Sequence, residues 1–132
     1  PNETDAQFQD TLKIMERVGY SSSFMFSYSP RPGTPASEFE DSVPLETKSK
    51  RLQETIKLQN RLTEEQGQSY KGKTVEILIE GISSKPGYSF KGRNPHYWRV
   101  NAKGDVKKFQ TGDIVKVNIE KISGHSLSGS IQ

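Results

Sequence analysis

The sequence of 132 residues contains no cysteine, and this absence removes several classes of function at the outset. Without thiols the chain can form no disulfide and can hold no iron–sulfur cluster or zinc ion through sulfur. Only His96 and His125 offer imidazole, and neither has an acidic partner at a spacing typical of catalysis. No GxSxG, P-loop or zinc-ligand pattern is present. The sequence therefore predicts no self-contained active site.

Long apolar runs and targeting segments are also missing. No stretch approaches the roughly 20 apolar residues that a membrane-spanning helix needs. The first residues, PNETDAQF, are acidic and polar, unlike a signal or transit peptide. These features predict a cytoplasmic protein without a membrane partner. The lack of cysteine is compatible with that location.

Charge is divided unevenly along the chain. Residues 1–69 carry 8 Lys/Arg and 11 Asp/Glu, whereas residues 70–132 carry 11 and 5, giving net charges of −3 and +6. A compact basic segment beside an acidic one indicates contact with a polyanion, and nucleic acid is the commonest polyanion in cytoplasm. A basic domain that is merely soluble is the alternative.

The first 69 residues have the pattern of a helix, a strand, a loop and a long helix. Thr4 and Gln7 form a capping box before apolar residues at helical spacing. Residues 20–28 predict a strand buried on both faces. The run YSPRPGTPA that follows predicts a rigid loop of the kind that binds ligands in α/β folds. A helix is then expected to run from Pro44 to about Gln66.

A helix and a strand cannot close a core of their own, so residues 1–43 are expected to end a larger α/β domain. The alternative is a small N-terminal element packed on the following barrel.

From residue 70 onward apolar and polar residues alternate, as in half-buried strands. Alternation is clearest over 74–80, 115–120 and 127–131, and shorter strands are expected near 88–90, 96–100 and 106–109. Five or so short antiparallel strands in about 60 residues predict a small closed barrel of OB-like size. The predicted fold is therefore α+β.

Basic and aromatic residues interleave in this predicted barrel. Cations neutralise phosphates, and exposed rings stack on unpaired bases. Phe90 and Phe109 favour the core, whereas Trp98 fits the core and the surface equally. The candidate RNA-binding residues are Lys71, Lys73, Lys85, Lys91, Arg93, Tyr97, Trp98, Arg99, Lys103, Lys107, Lys108 and Lys121.

Four segments carry a family resemblance: PNETDAQFQDTL, VGYSSSFMFSYSPRPGTPA, VPLETKSKRLQETIKLQNRL and YKGKTVEILIEGISSK. Together they resemble the C-terminal part of MiaB-type tRNA methylthiotransferases, over nearly the whole chain. The order is also that of the family. The resemblance implies the end of a radical SAM partial barrel at 1–43, a linking helix at 44–69 and an RNA-binding TRAM β-barrel at 70–132.

The resemblance implies a full-length enzyme that methylthiolates C2 of isopentenyladenosine next to the anticodon. Such an enzyme uses S-adenosylmethionine and two 4Fe-4S clusters, whose cysteines lie upstream of the matched region. The chain alone would then bind no cofactor and catalyse nothing. It would supply tRNA binding, with the anticodon arm and the upstream catalytic domains as its partners.

The resemblance also implies cofactor- or substrate-facing positions at Glu3, Thr4, Ser29 and Arg31. Asn2 replaces the glycine of the family's PGET motif. Arg31 and Pro32 stand where enzymes that modify a ribosomal protein tend to have acidic residues, which favours the tRNA branch. Two alternatives stay open, a TRAM-type RNA-binding module without catalysis and a methylthiotransferase acting on a ribosomal protein.

Overall fold

A computed structural model describes every residue from Pro1 to Gln132, and the chain falls into two compact units, residues 1–63 and 64–132. No helix combines the length and the apolar character needed to cross a membrane. The elements are α1 (Asp5–Val18), a 3-10 helix (Pro35–Glu38), α2 (Leu45–Gln68), β1 (Thr74–Ile82), β2 (Phe90–Arg93), β3 (Arg99–Lys103), β4 (Ile114–Ser123) and β5 (Ser126–Ile131).

Helix α1 begins at the capping box that the sequence predicts. The Gln7 backbone N–H donates to Thr4 Oγ1 at 3.3 Å, and the Thr4 N–H donates to Gln7 Oε1 at 2.9 Å. Gly19 ends the helix in the left-handed conformation, with φ 64°, and donates to the Met15 carbonyl. Phe8 and Met15 are the buried residues of its apolar face.

The strand predicted for residues 20–28 is not formed. No strand lies within residues 1–63, and a ladder of backbone hydrogen bonds needs a partner strand. Burial on both faces is wrong as well, because Phe24 and Phe26 are 94% and 83% exposed. The two phenylalanine rings therefore have no cover within the first unit, whereas Met25 between them is half-buried.

Side chains hold the two ends of this segment. Gln59, buried on α2, donates from Nε2 to the Tyr20 carbonyl at 2.7 Å. Tyr28 Oη donates to the Ala36 carbonyl at 2.8 Å. Between Tyr28 and Ala36 the chain turns at Gly33, whose φ of 82° suits glycine. The proline-rich segment is thus a loop, as predicted, although no strand precedes it.

The second unit is a closed five-stranded barrel in the order β1-β2-β3-β5-β4, which confirms the predicted architecture. Four of the five strand pairs are antiparallel, but β3 and β5 pair in parallel, contrary to expectation. Inward residues of the predicted alternation fill the core. The buried core comprises Ile77, Ile79, Phe90, Trp98, Val100, Ala102, Val115, Val117, Ile119 and Leu127.

Two of the shorter strand predictions need correction. Residues 106–109 lie in a turn, because Asp105 accepts hydrogen bonds from the backbone N–H groups of Lys107 and Lys108, both at 2.9 Å. Residues 96–98 belong to the β2–β3 turn, and β3 begins at Arg99. In each place a short polar side chain bonds to nearby backbone in preference to a strand ladder.

Helix α2 ends near the predicted position but continues through Gly67 to Gln68. A Cβ at Gly67 would lie 2.9 Å from Ile122 Cγ2 and 3.2 Å from the Trp98 ring. The missing side chain therefore lets the last turn of α2 pack closely on the barrel.

We expect Gly129→Ala to destabilise the barrel, because a Cβ there would lie 1.8 Å from the Asn118 carbonyl oxygen on the neighbouring strand. Overpacking typically costs about 1–3 kcal/mol, and a fixed backbone atom places this case at about 3 kcal/mol or more. Thermal unfolding followed by circular dichroism measures the change. Gly104→Ala is the control, since its Cβ meets the flexible tip of Ile131 first. Equal melting temperatures for the two variants would contradict the close approach of β4 and β5.

Candidate nucleic-acid interface

The outer side of the barrel around β2, β3 and the end of β4 carries six of the predicted cations. Outward residues alternate with buried ones along β2 and β3, and residues directly opposite one another share a side of the sheet. The cross-strand rows are Arg93 with Arg99, then Lys91 with Asn101, Ser128 and Lys121, and finally Lys103 with Ser130. On β5, Ser128 lies in the middle row but is itself buried, at 1% exposed. Lys85 reaches the same side from the β1–β2 connection, where its Nζ lies 3.1 Å from Ser128 Oγ. We define the basic face as Lys85, Lys91, Arg93, Arg99, Lys103 and Lys121.

Two lysines of the basic face share one aromatic ring. Lys85 Nζ lies 5.1 Å from the centroid of the Tyr88 ring, and Lys103 Nζ lies 5.7 Å from the same centroid. Each ammonium gains a cation–π contact, but the two charges repel each other. A phosphate bound between them would relieve that repulsion through charge-assisted hydrogen bonds. This cluster is therefore a suitable position for a nucleic-acid backbone.

Carboxylates neutralise only part of the basic face. Glu80 pairs with Arg93 at 2.8 Å, and Glu120 lies 3.6 Å from Lys103. A hydrogen bond from the Ser130 hydroxyl, and then the charge of Lys103, hold the pKa of Glu120 below its ordinary value against the opposing effect of desolvation. Glu120 is thus charged at neutral pH and offsets Lys103. The cations without a carboxylate at ion-pair distance are Lys85, Lys91, Arg99 and Lys121.

The aromatic candidates fall into two groups. Tyr97 is 82% exposed, whereas Trp98 is 5% exposed and packs 5.6 Å from the Tyr70 ring. Phe90 is fully buried, and Phe109 meets it edge to face, with centroids 6.4 Å apart. Tyr97 is therefore positioned at the surface, and Trp98 belongs to the core.

The remaining predicted cations lie outside the basic face. Lys71 and Lys73 belong to the connection between α2 and β1, and Lys107 and Lys108 belong to the turn between β3 and β4. All four are exposed, but no strand register joins them to the rows of the basic face.

The candidate residues of the first unit form no shared site in this structure. Glu3 Oε2 accepts from Arg51 Nη1 at 3.0 Å, and Thr4 caps α1. Ser29 and Arg31 are exposed in the proline-rich loop, and no hydrogen bond or ion pair joins them to Glu3 or Thr4. No group of three or more His, Asp or Glu side chains is arranged to hold a metal ion.

Sequence reasoning missed two polar residues of the interface, Asn101 and Glu120, and the buried Ser128 that bonds to Lys85. Asn101 lies between Arg99 and Lys103 on β3, and alternation alone could have placed it outward. Ser128 is placed by the register of β5 with β3 and β4, and Glu120, which the β4–β5 register skips, accepts a hydrogen bond from the Ser130 hydroxyl at 2.6 Å. The β3–β5 register pairs residues far apart in sequence, so no local pattern indicates it.

Both the barrel and the chain as a whole are similar to known proteins. Residues 68–131 match the family model of the TRAM domain, so the barrel is a TRAM domain. Over nearly its whole length the chain is also similar to enzymes named tRNA-2-methylthio-N(6)-dimethylallyladenosine synthase. The resemblance to tRNA methylthiotransferases drawn from the sequence is thereby confirmed.

Three of these relatives give the extent of the similarity. Identity is 40% over 99% of the chain for the Acetivibrio thermocellus enzyme, 45% over 97% for that of Parabacteroides distasonis and 40% over 99% for that of Halalkalibacterium halodurans. The chain covers 27%, 28% and 24% of these relatives, respectively. It therefore spans about a quarter of the length of the enzymes that it matches.

We expect Glu120→Gln to strengthen binding to a polyanion, because the change removes a negative charge and leaves Lys103 unpaired. The variant should elute from heparin at higher salt than the parent chain at neutral pH. Since the pKa of Glu120 is lowered, the difference should disappear only when the pH falls through that lowered value. Glu46→Gln is the control, because Glu46 on α2 pairs with Lys50 at 2.8 Å and does not belong to the barrel. Equal shifts for the two variants would contradict a special role for Glu120.

Proposed function

We propose that this chain is the RNA-binding C-terminal part of a tRNA methylthiotransferase. The complete enzyme would methylthiolate C2 of isopentenyladenosine next to the anticodon, and the TRAM domain would grip the anticodon arm. The observation that supports RNA binding is the basic face, where only two of the six cations have a carboxylate partner. The reaction and its substrate rest on the name of the relatives.

The chemistry of the basic face suits a single-stranded or looped RNA. Lysine and arginine bind phosphate oxygens without reading sequence, so this face would position the RNA. Asn101, which is half-buried between the cations of the middle row, can hydrogen-bond sugar or base edges. Positioning by phosphate and recognition of unpaired bases are the two tasks that binding to an anticodon arm requires.

The chemical step of the proposed enzyme belongs to parts of it other than these 132 residues. The chain contains no cysteine, so its side chains do not fit the thiolate ligand set of a 4Fe-4S cluster. S-adenosylmethionine and the clusters would be held by the catalytic domains of the same polypeptide. A cytoplasmic location follows from the proposed tRNA substrate.

Residues 1–43 would complete a larger α/β domain of that enzyme. The support is the exposed apolar run, in which Phe24 and Phe26 project from a backbone that has no strand partner. Within such a domain the loop with Ser29 and Arg31 would face the substrate or the cofactor. The Arg31 guanidinium is exposed and has no ion-pair partner, as an anion-binding role requires.

A triple variant tests RNA binding by the basic face. Lys91→Gln, Arg99→Gln and Lys103→Gln together should weaken binding of the chain to an anticodon stem-loop by about tenfold or more at low salt. The slope of log affinity against log salt should fall in magnitude by about 2, since each lost phosphate contact removes about 0.7. Fluorescence anisotropy at several salt concentrations measures both quantities.

The control removes the same charge from another part of the barrel. Lys71→Gln, Lys107→Gln and Lys108→Gln replace three exposed cations outside the basic face. This triple variant should keep most of the affinity and most of the salt slope. If the two triple variants lose affinity equally, binding is diffuse and the basic face is not the interface.

A chimera tests the proposed reaction. The corresponding C-terminal segment of the Parabacteroides distasonis enzyme would be replaced by this chain, in a bacterium that lacks its own methylthiotransferase. Mass spectrometry of tRNA nucleosides should then show methylthiolated isopentenyladenosine. The chimera with the basic-face triple variant should show mainly the unmodified precursor.

Other outcomes of this experiment favour the alternatives. A stable chimera that methylthiolates a ribosomal protein and leaves tRNA unmodified would place the chain in that other branch. A stable chimera that modifies neither substrate, while the chain still binds RNA, would favour an RNA-binding module without catalysis.

We expect Phe24→Ser with Phe26→Ser to reduce the fluorescence of a dye that binds exposed apolar surface, such as anilinonaphthalene sulfonate. The melting temperature should change little, since the two rings are 94% and 83% exposed and are not part of a core. Phe8→Ser is the comparison, because Phe8 is 4% exposed and its loss should unfold the first unit. A strong fall in stability for the double variant would show that the run is already covered.

A further inference from the structure

Tyr97 adopts a backbone conformation that a bulky side chain rarely takes. Its φ is 64°, in the left-handed region where glycine and asparagine are favoured. The ring gains no packing in return, since the residue is 82% exposed. Strained residues of this kind persist only where the surroundings fix them, and they cluster at functional sites.

Buried groups fix the turn that carries Tyr97. Asn94 is 5% exposed, and its Oδ1 accepts hydrogen bonds at 3.0 Å from the backbone N–H groups of His96 and Trp98. The Asn94 carbonyl accepts from the Tyr97 N–H at 3.0 Å. Trp98, the next residue, is anchored in the core. These contacts fix the backbone of the turn, so the exposed ring of Tyr97 is held in a defined position.

An apolar groove lies beside this ring. The groove has a volume of about 390 Å³ and is lined by Leu78, Ile114, Pro95 and Tyr97 among others. Leu78 and Ile114 are neighbours across β1 and β4, and both are exposed, at 46% and 71%. A flat aromatic ligand could therefore contact the Tyr97 ring and this apolar surface together.

One guanidinium group and two carboxylates also line the groove, Arg93, Glu76 and Glu80, and Arg93 pairs with Glu80 at 2.8 Å. The row that contains Leu78 continues with Arg93 on β2 and Arg99 on β3. Like charges directly opposite each other destabilise a sheet, and only Arg93 has a carboxylate partner, Glu80. An anion at Arg99 would offset this repulsion. The aromatic and apolar groove thus lies in the same cross-strand row as Arg99, which offers a position for one negative charge.

We propose that Tyr97 is the stacking platform for one unpaired base of the bound RNA, with Leu78 and Ile114 beneath the base and Arg99 on its phosphate. This inference rests on the proposed RNA-binding function and adds a defined nucleotide position to it. A nucleotide fits here better than an apolar peptide does, because Arg99, which has no carboxylate partner, follows Leu78 and Arg93 in the same cross-strand row and can bind a phosphate beside the groove. Because the backbone at Tyr97 is already fixed, less conformational entropy is lost when a base binds to the ring.

Tyr97→Gly separates the role of the ring from the stability of the fold. Glycine adopts positive φ freely, so the variant should melt at the same temperature as the parent chain or higher. Its affinity for a short oligouridylate should fall by about 5- to 150-fold, the range expected for one lost base–aromatic stack. The slope of log affinity against log salt should not change, because no charge is removed.

Further variants complete the test. Tyr97→Asn also tolerates the left-handed conformation and should behave like Tyr97→Gly, whereas Tyr97→Phe should retain the affinity. Phe39→Ala, which removes a ring that is 61% exposed in the first unit, should leave the affinity unchanged. Fluorescence anisotropy and thermal unfolding of the full chain provide the two readouts.

The outcomes that overturn the inference differ from those that overturn RNA binding. Parent-like affinity in Tyr97→Gly, while the basic-face triple variant binds weakly, would refute the stacking platform and leave the proposed function standing. Loss of affinity together with a lower melting temperature would make Tyr97 a structural residue. Absence of oligouridylate and stem-loop binding in the parent chain would refute the proposed function itself.

Discussion

The parallel pairing of β3 with β5 is the constraint on which the barrel and its outer surface depend. It closes the sheet, because β5 also pairs with β4 and β4 with β1. The same pairing sets Asn101 of β3 beside Ser128 of β5. Because Lys91 of β2 lies opposite Asn101 and Lys121 of β4 lies opposite Ser128, the four strands place these two cations in one row. Glycine at position 129 lets β5 approach β4 closely, since a Cβ there would lie 1.8 Å from the Asn118 carbonyl oxygen. Closure of the barrel and assembly of the basic face are therefore one event.

Local patterns predicted the parts of the fold that depend on neighbouring residues. The capping box at Thr4 and the alternation along β1 and β4 are examples, since each is read over a few positions. Residues 106–109 also alternate, but Asp105 stabilises a turn there. The apolar run around Phe24 predicts a buried strand, but a strand forms only beside a partner strand. Residues 1–63 contain no strand. Pairings between distant strands lay beyond the reach of such patterns.

Two neighbouring aromatic residues show the same limit within the candidate site. Tyr97 and Trp98 are equally compatible with stacking or with packing when only their types and flanking charges are known. Asn94 decides between them, because its buried side chain holds a turn that directs one ring outward and the other into the core. The basic composition of the barrel was evident from the sequence. Which of its cations share a surface followed only from the strand register.

The most direct test of the account maps the RNA-contacting surface residue by residue. Backbone amide NMR spectra of the isotope-labelled chain, titrated with an anticodon stem-loop, report which residues change environment on binding. The account predicts that the largest shifts lie in β2, β3, β5 and the turn at residues 94–98, with little change at residues 104–109. Largest shifts at residues 104–109, or in α1 and the first turns of α2, would contradict it.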